Sequence, residues 1–245
     1  MNIAIILSGG TGMRLGAELP KQYIEVCGKM MIGYCLATFE KCAKIDALQI
    51  VAEKQWQNLI FDEYKRLCGL RGEDNGKLRG FSEPGITRQL SIWHALEDIR
   101  SFASEEDLVI VHDAARPLLS IELLEDVISA AAACDGAIPV LPMKDTVYFT
   151  EDGKHITALL ERSRVIAGQA PESFVFGKYY EANRRLLPEK ILEINGSTEP
   201  AILAGMDIAV VEGEEQNFKI TTQADLERFG QIIKEGVNIY EGVCT

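Results

Sequence analysis

The chain has 245 residues, of which 47% are hydrophobic and 25% are charged, as is usual for a globular protein with a sizeable core. Its formal net charge of -12 argues against a surface built for DNA or RNA, because nucleic-acid backbones are bound mainly by patches of Lys and Arg. A few converging cations in a cleft can still bind a nucleotide on an acidic protein, so small phosphorylated ligands remain candidates.

Apolar runs alternate with amphipathic stretches from residue 2 to residue 141, and the first run, Asn2 to Leu7, predicts a buried strand. Further strands are predicted at Ala47 to Ala52, Leu78 to Phe81, Leu108 to His112 and Ala137 to Leu141. Helices are predicted between them at Met31 to Lys41, Trp56 to Leu67, Arg88 to Phe102 and Ile121 to Ala133. This alternation indicates an α/β fold with a Rossmann-like, mostly parallel sheet and helices on both faces.

The pattern changes after Pro142. Two short strand-like segments, Thr146 to Thr150 and His155 to Leu160, flank an Asp-Gly pair, which is a strong hairpin signal. We therefore expect a β-arm at about residues 143–165 that projects from a single domain spanning residues 1–245. Beyond the arm, helices are predicted near Phe176 to Leu186, Thr198 to Ala204 and Thr222 to Lys234, and a strand at Asp207 to Glu212. Thr222 and Asp225 have the spacing of a capping box.

The six cysteines include no C-x-x-C pair, so neither a zinc site nor a disulfide framework is predicted, and they are expected to pack as small buried side chains. The apolar run after Met1 is too short for a membrane span. It also lacks the basic region that precedes the apolar run of a signal peptide. We expect a cytoplasmic protein with no membrane partner.

The first strand leads into a glycine-rich loop, LSGGTGMRLG, at residues 7–16. Its glycines allow backbone N–H groups to face an anion, although the spacing matches neither a Walker A motif nor G-x-G-x-x-G. The alternative interpretation is a plain strand-to-helix turn. Arg14 inside the loop and Lys21 shortly after it favour a phosphate site, because both side chains bind phosphate oxygens well.

Asp113 follows the strand at Leu108 to His112, so we expect it over the crevice where open α/β sheets bind ligands. Two interpretations of Asp113 stay open, a Mg²⁺ ligand and a helix N-cap. His112 is expected to pack inside the sheet. Lys219 alternates with apolar neighbours and therefore points away from the face that they bury.

Six segments taken together, LSGGTGMRLG, PKQY, HDAARP, KDT, GQAPESF and NFKITT, resemble the cytidylyltransferases that act on 2-C-methyl-D-erythritol 4-phosphate and ribitol 5-phosphate. They occur in the order of that family and run from residue 3 to about residue 226. The resemblance implies a GT-A-like nucleotidyltransferase fold and transfer of CMP from CTP to a polyol phosphate, with release of pyrophosphate. It also implies a Mg²⁺ cofactor and a homodimer whose arms cross.

The resemblance further implies roles for individual residues. Contacts with CTP are implied for Leu7, Ser8, Gly9, Gly10, Thr11, Gly12, Gly85, Arg88, Ser91 and Asp113. Arg14, Lys21 and Lys219 are implied to be catalytic, and Asp113 to bind the metal. Contacts with the polyol phosphate are implied for Asp113, Arg116, Thr146 and Lys219, and for Arg162, which matches an arm arginine that reaches the partner's substrate.

Three departures bear on specificity. Ile86 stands where the family usually has an acidic residue, Ala170 replaces a threonine, and residues 197–201 read STEPA where the family generally has Thr-Asp-Asp/Glu-Ala. The glycine loop, GQAPESF and NFKITT favour ribitol 5-phosphate, the branch that serves cell-surface polymers, over the methylerythritol branch of isoprenoid biosynthesis.

Other functions stay open. The Ile86 departure leaves room for a nucleotidyltransferase that uses another base or sugar phosphate. A homologue that binds nucleotide without turnover is disfavoured because Arg14, Lys21 and Lys219 are all present. The hypothesis of a nicotinamide-dependent enzyme is weaker still. Glu53 follows the second strand and could bind a ribose, but the spacing of the glycines does not match the dinucleotide-binding motif.

Overall fold

The computed structural model describes residues 1–10, 19–72 and 74–236, and it confirms the predicted alternation of strands and helices. Strands lie at β1 (Asn2–Leu7), β2 (Glu25–Val26), β3 (Lys29–Met30), β4 (Ala47–Val51), β5 (Leu78–Ser82), β6 (Leu108–Asp113), β7 (Gly136–Pro142), β8 (Tyr148–Phe149), β9 (Ala158–Leu159), β10 (Ile166–Gly168), β11 (Glu172–Val175) and β12 (Ile208–Glu212). Helices lie at α1 (Met31–Lys41), α2 (Lys54–Cys68), α3 (Arg88–Ile99), α4 (Ile121–Ala131), α5 (Phe176–Arg184), α6 (Glu199–Leu203) and α7 (Gln223–Lys234).

The main sheet has eight strands within the described residues. Seven of them follow the order β10-β7-β11-β6-β1-β4-β5, and the eighth, β12, also pairs with β7, in parallel. Strand β1 pairs in parallel with β4 and β6, and β4 pairs in parallel with β5. These four strands end at one edge of the sheet, where Leu7 is in register with Asp113. The glycine loop and the acidic residue therefore leave the sheet side by side.

Two strands of the main sheet that the sequence pattern did not predict, β10 and β11, run antiparallel to their neighbours. Strand β11 lies between β6 and β7, so the sheet is mixed although most of its pairings are parallel. Both strands are short, and polar residues interrupt the apolar pattern of β11 at Glu172 and Ser173. Local periodicity could not reveal them.

Alternate residues of β1 enter two separate hydrophobic cores on opposite faces of the sheet. Ala4 and Ile6 pack in a cluster with side chains of α1, α2 and α4. Ile3 and Ile5 pack in a second cluster with side chains of α3 and α5. Both faces are thus covered by helices, as the alternation of elements predicted.

A third hydrophobic cluster attaches α7 to α1 and contains Met31, Tyr34, Leu118, Ile220 and Phe229. The rings of Tyr34 and Phe229 meet edge to face with 5.1 Å between their centroids. This packing fixes the segment that precedes α7 and thereby the backbone position of Lys219.

The Asp-Gly hairpin is present, but its ladder is shorter than expected. Only Tyr148 with Leu159 and Phe149 with Ala158 pair between β8 and β9. All four side chains are exposed, so no core packing extends the ladder along the arm. Two other expectations need correction: α3 ends at Ile99, before Phe102, and Cys27 is exposed. No helix among the described residues has the length and apolar character to cross a membrane.

The predicted capping box of Thr222 and Asp225 is confirmed at the start of α7, and it leads to a prediction about stability. The Thr222 hydroxyl accepts a hydrogen bond from the Asp225 N–H at 3.2 Å, and the Asp225 carboxylate accepts one from the Thr222 N–H at 2.8 Å. Thr222→Ala should lower the free energy of unfolding by about 1 kcal/mol in urea denaturation. Thr222→Ser keeps the hydroxyl and is expected to match the wild type; equal stability of the Ala variant would show that the cap contributes nothing.

Candidate active site

A cleft of about 790 Å³ opens at the edge where the parallel strands end. The residues around it are Leu7, Ser8, Gly9, Gly10, Lys21, Gln22, Val51, Glu53, Pro84, Gly85, Ile86, Thr87, Arg88, Ser91, Asp113, Ala114, Ala115 and Lys219. The fold thus brings together, from three distant parts of the sequence, most of the residues for which the resemblance implied contacts with CTP.

Gln22 holds the start of the glycine loop by hydrogen bonds. It belongs to the PKQY segment, but the sequence analysis did not assign it to the site. The Gln22 amide donates hydrogen bonds to the carbonyls of Ser8 and Gly10, both at 2.7 Å, and the Tyr23 hydroxyl donates to the Ser8 carbonyl at 3.0 Å. Gly9 faces Pro84 so closely that a Cβ atom there would lie 2.5 Å from the Pro84 Cβ atom. The path of the loop is therefore fixed by contacts as well as by glycine flexibility.

Lys21 and Lys219 are brought to the same side of the cleft. The Lys21 ammonium donates to the backbone carbonyl of Ile220 at 2.6 Å, one residue beyond Lys219. The Lys219 ammonium forms an ion pair with Asp113, with 2.9 Å between Nζ and Oδ2. Two cations that are 198 positions apart in the numbering thus converge on one segment.

Asp113 is the electrostatic centre of the cleft. Its other oxygen, Oδ1, accepts from Nε and Nη2 of Arg88 at 3.1 and 3.0 Å. Burial by itself raises the pKa of the Asp113 carboxyl, but Arg88 and Lys219 outweigh burial and hold that pKa well below its usual range. Asp113 is therefore a carboxylate at neutral pH. The N-cap interpretation is wrong, since the following helix α4 is capped by Ser120.

The donor set at Asp113 fits a Mg²⁺ ion that is held mainly by substrate. Mg²⁺ is usually bound through one or two carboxylates, with waters and phosphates completing its shell. Two carboxylates line the cleft, those of Asp113 and Glu53. Among the described residues, no three His, Cys, Asp or Glu side chains form a preformed metal centre.

The first turn of α3 positions Gly85 and Ser91, for which the resemblance implied contacts with CTP. The Gly85 N–H donates to the Ser91 hydroxyl at 2.9 Å, and Thr87 caps the helix by accepting from the Leu90 N–H. The Ile86 side chain is 84% exposed, so it is not packed into the protein. Gly85 approaches Leu90 too closely for any side chain at position 85.

The remaining predicted residues lie elsewhere. Arg116 is half-buried, does not line the cleft and donates to the Asn217 carbonyl at 2.6 Å. Thr146 and Arg162 lie on the exposed arm and do not line the cleft of their own chain, and Arg162 donates to the Lys144 carbonyl at 2.8 Å. Thr11, Gly12 and Arg14 lie outside the described residues.

Two further residues, Ser197 and Glu172, hold Arg88, although the sequence analysis did not assign them to the site. The Arg88 guanidinium donates through Nη1 to the Ser197 hydroxyl at 2.7 Å, and this hydroxyl donates to the carboxyl of Glu172. The departure at residues 197–201 drew attention to Ser197, but no motif connects it with Arg88. Only the fold brings the two together.

Comparison with known proteins identifies the family to which this chain belongs. The family model described as 2-C-methyl-D-erythritol 4-phosphate cytidylyltransferase (IspD) matches residues 2–235. The chain belongs to this family. It is thus an enzyme of the cytidylyltransferase type.

Relatives with either acceptor in their names align along nearly the whole chain. Ribitol-5-phosphate cytidylyltransferase of Streptococcus agalactiae serotype III (strain NEM316) is 28% identical over 243 residues, which are 98% of this chain and 99% of that protein. The 2-C-methyl-D-erythritol 4-phosphate cytidylyltransferase of Thermotoga neapolitana is 33% identical over 235 residues, 96% of this chain and 98% of that protein. The structure of 4-diphosphocytidyl-2C-methyl-D-erythritol synthase from Anaerococcus prevotii DSM 20548 superposes with a TM-score of 0.79 at 26% identity, covering 95% of this chain and 96% of that one.

The burial of His112, next to Asp113, leads to a prediction of how the free energy of unfolding depends on pH. It is fully buried, packs 5.3 Å from the Phe39 ring, and its Nε2 donates to the Arg116 carbonyl at 3.1 Å. Burial lowers the pKa of His112 from 6.5 to about 4. The unfolded chain therefore binds a proton before the folded protein does, and the free energy of unfolding should fall between pH 6.5 and 4 by up to about 1.4 kcal/mol per pH unit.

Urea denaturation at a series of pH values would measure this effect, with His112→Gln as the comparison. Glutamine retains a donor for the Arg116 carbonyl but does not titrate, so the variant should lose less stability over this interval. Parallel pH curves for the two proteins would contradict the assignment to His112.

Proposed function

We propose that the protein transfers CMP from CTP to a polyol phosphate, with ribitol 5-phosphate as the acceptor. The observation that carries the proposal is the convergence of Lys21, Lys219 and Arg88 on the cleft that the glycine loop enters. Such a cluster of cations on a protein of net charge -12 is suited to a triphosphate and a second phosphorylated substrate.

The proposed reaction is a single displacement. An oxygen of the acceptor's phosphate attacks the α-phosphorus of CTP and forms a new P–O bond, while the bond from the α-phosphorus to the bridging oxygen of pyrophosphate breaks. Pyrophosphate leaves with the electron pair. Catalysis of this kind depends on positioning and on offsetting negative charge, which is the role proposed for Lys21, Lys219 and Arg14.

Asp113 has two tasks in this proposal. Before substrate enters, it holds Arg88 and Lys219 in the cleft by ion pairs. It would also hold Mg²⁺, which supplies further positive charge to the phosphates when bound. The acceptor would lie toward Arg116 and Lys219, with Thr146 and Arg162 supplied by the arm of a second copy.

Exposed apolar side chains on the arm support such a dimer. Tyr148 and Phe149 on β8 are 53% and 48% exposed, and Leu159 on β9 is 66% exposed. A hairpin with several exposed apolar side chains is typical of an interaction surface. A second copy that covers it would also place Arg162 near a neighbouring cleft.

The choice of ribitol 5-phosphate rests on sequence segments, because overall identity does not separate the two acceptors. The glycine loop, GQAPESF and NFKITT favour ribitol 5-phosphate. The Thermotoga relative, at 33% identity, favours 2-C-methyl-D-erythritol 4-phosphate as the second candidate. The exposed Ile86 leaves another nucleotide as a further outcome of the test.

Pyrophosphate release with Mg²⁺ and CTP should be measured with each polyol phosphate in turn. We expect release with ribitol 5-phosphate, slower release with 2-C-methyl-D-erythritol 4-phosphate, little with UTP, ATP or GTP, and none in excess EDTA. Faster release with the methylerythritol substrate would assign the protein to the other branch. Absence of release with both would reject the proposed reaction, and full activity in EDTA would reject the metal.

Lys21→Ala should lower kcat by about 100-fold, because it removes a cation from the site where charge develops. The matched control is Lys190→Ala, at an exposed position in a short 3-10 turn outside the cleft. Circular dichroism should show both variants folded. Wild-type turnover in Lys21→Ala would remove this lysine from the catalytic machinery.

A further inference from the structure

Glu172 is a buried carboxyl that lines no part of the described cleft. It lies on β11 opposite Val111 of β6, two residues before Asp113, and is 8% exposed. A buried carboxyl is costly unless hydrogen bonds and positive charge offset its loss of water. Burial raises the pKa of Glu172, and Arg88 opposes that rise. Such a position calls for a role beyond packing.

The hydrogen bonds around Glu172 form a chain with a fixed direction. A guanidinium only donates, so the Ser197 hydroxyl accepts from Arg88 Nη1 and must donate its own proton to Glu172 Oε2. The Thr198 hydroxyl donates to the same oxygen at 3.0 Å. Ser197 is 1% exposed, so solvent does not replace it in this chain.

Arg88 is consequently held on two sides. Nε and Nη2 bind Asp113 in the cleft, and Nη1 binds Ser197 behind it. Lys219 shares Asp113 with Arg88, but its side chain is more exposed, at 40% against 30% for Arg88. The two cations of the Asp113 pair therefore differ in how firmly they are anchored.

This difference matters when a phosphate enters the cleft. An incoming phosphate competes with Asp113 for the cations beside it, and the cation with fewer anchors moves more readily. The chain through Ser197 to Glu172 keeps Arg88 in place. Lys219, on a flexible four-carbon stem, is then the one that shifts.

We propose that Glu172 is a positioning residue that fixes Arg88 through the Ser197 hydroxyl and leaves Lys219 as the cation that moves toward the substrate phosphates. The inference rests on the proposed function for its kinetic consequences, whereas the anchoring of Arg88 is a property of the free protein. Glu172 touches no substrate and acts only through Ser197 and Arg88.

Three variants separate the parts of the chain. Ser197→Ala removes one oxygen atom and breaks the link, Glu172→Leu removes the final acceptor, and Glu172→Gln keeps an acceptor for the Ser197 hydroxyl. Ser173→Ala is the matched control, because Ser173 is the neighbour on β11 and its buried hydroxyl has no hydrogen-bond partner in the described part of the chain. Ser197→Ala also keeps the test open if Glu172→Leu does not fold.

The first measurement is the hydrogen-exchange rate of the Arg88 Nε–H group in ¹⁵N NMR spectra of the free protein, with the signal assigned by its loss in Arg88→Lys. Exchange should become about tenfold faster in Ser197→Ala and Glu172→Leu, and stay close to wild type in Glu172→Gln and Ser173→Ala. Unchanged exchange in Ser197→Ala and in any folded Glu172→Leu overturns the proposal, whatever the enzyme's substrate proves to be.

The second measurement is steady-state kinetics with CTP and the preferred polyol phosphate. Ser197→Ala and Glu172→Leu should lower kcat about tenfold with much smaller changes in both KM values, and their double variant should be no worse than either alone. Wild-type kcat in these variants, or losses that multiply in the double variant, overturns the positioning role. Failure of the wild type to turn over rejects the proposed function instead, and the exchange experiment still decides the anchoring of Arg88.

Discussion

The ion pairs of Asp113 with Arg88 and Lys219 are the interaction on which the cleft depends. Register in the sheet places Asp113 beside Leu7, so the carboxylate stands directly next to the entrance of the glycine loop. Two cations offset the cost of burying this charge and are themselves held in the cleft by it. The same arrangement keeps positive charge in the cleft.

The scaffold around this centre is rigid where it meets the cleft. Gln22 and Tyr23 fix the carbonyls of the glycine loop, and the third hydrophobic cluster fixes Ile220, whose carbonyl in turn holds Lys21. Packing on α1 thus determines where the Lys21 ammonium and the backbone at Lys219 lie. Placement of this kind is what charge-stabilised transfer reactions need, because misplaced charges do little for a transition state.

Family membership and site geometry bear on different parts of the function. The family match covers residues 2–235 and identifies a cytidylyltransferase, while the cleft shows which side chains stand together. Neither separates ribitol 5-phosphate from 2-C-methyl-D-erythritol 4-phosphate. The residues expected near the acceptor, Thr146 and Arg162, are on the exposed arm.

The sequence by itself determined the features that arise from neighbouring residues. Apolar periodicity located the parallel strands and the helices on both faces, the Asp-Gly pair located the hairpin, and Thr222 with Asp225 located a helix cap. The motifs around Lys21, Asp113 and Lys219 also gave the family. These signals extend over a few residues and reflect backbone geometry, which is why they can be read without a structure.

The tertiary structure alone decided the contacts between distant segments. The insertion of antiparallel β11 beside β6 brings Glu172 near Asp113, and Ser197 reaches Arg88 across 109 positions of sequence. Lys21 meets the Ile220 carbonyl across 199 positions. No local pattern encodes such pairs, because the order of strands in a sheet and the packing of helices on it follow from the burial of the whole chain.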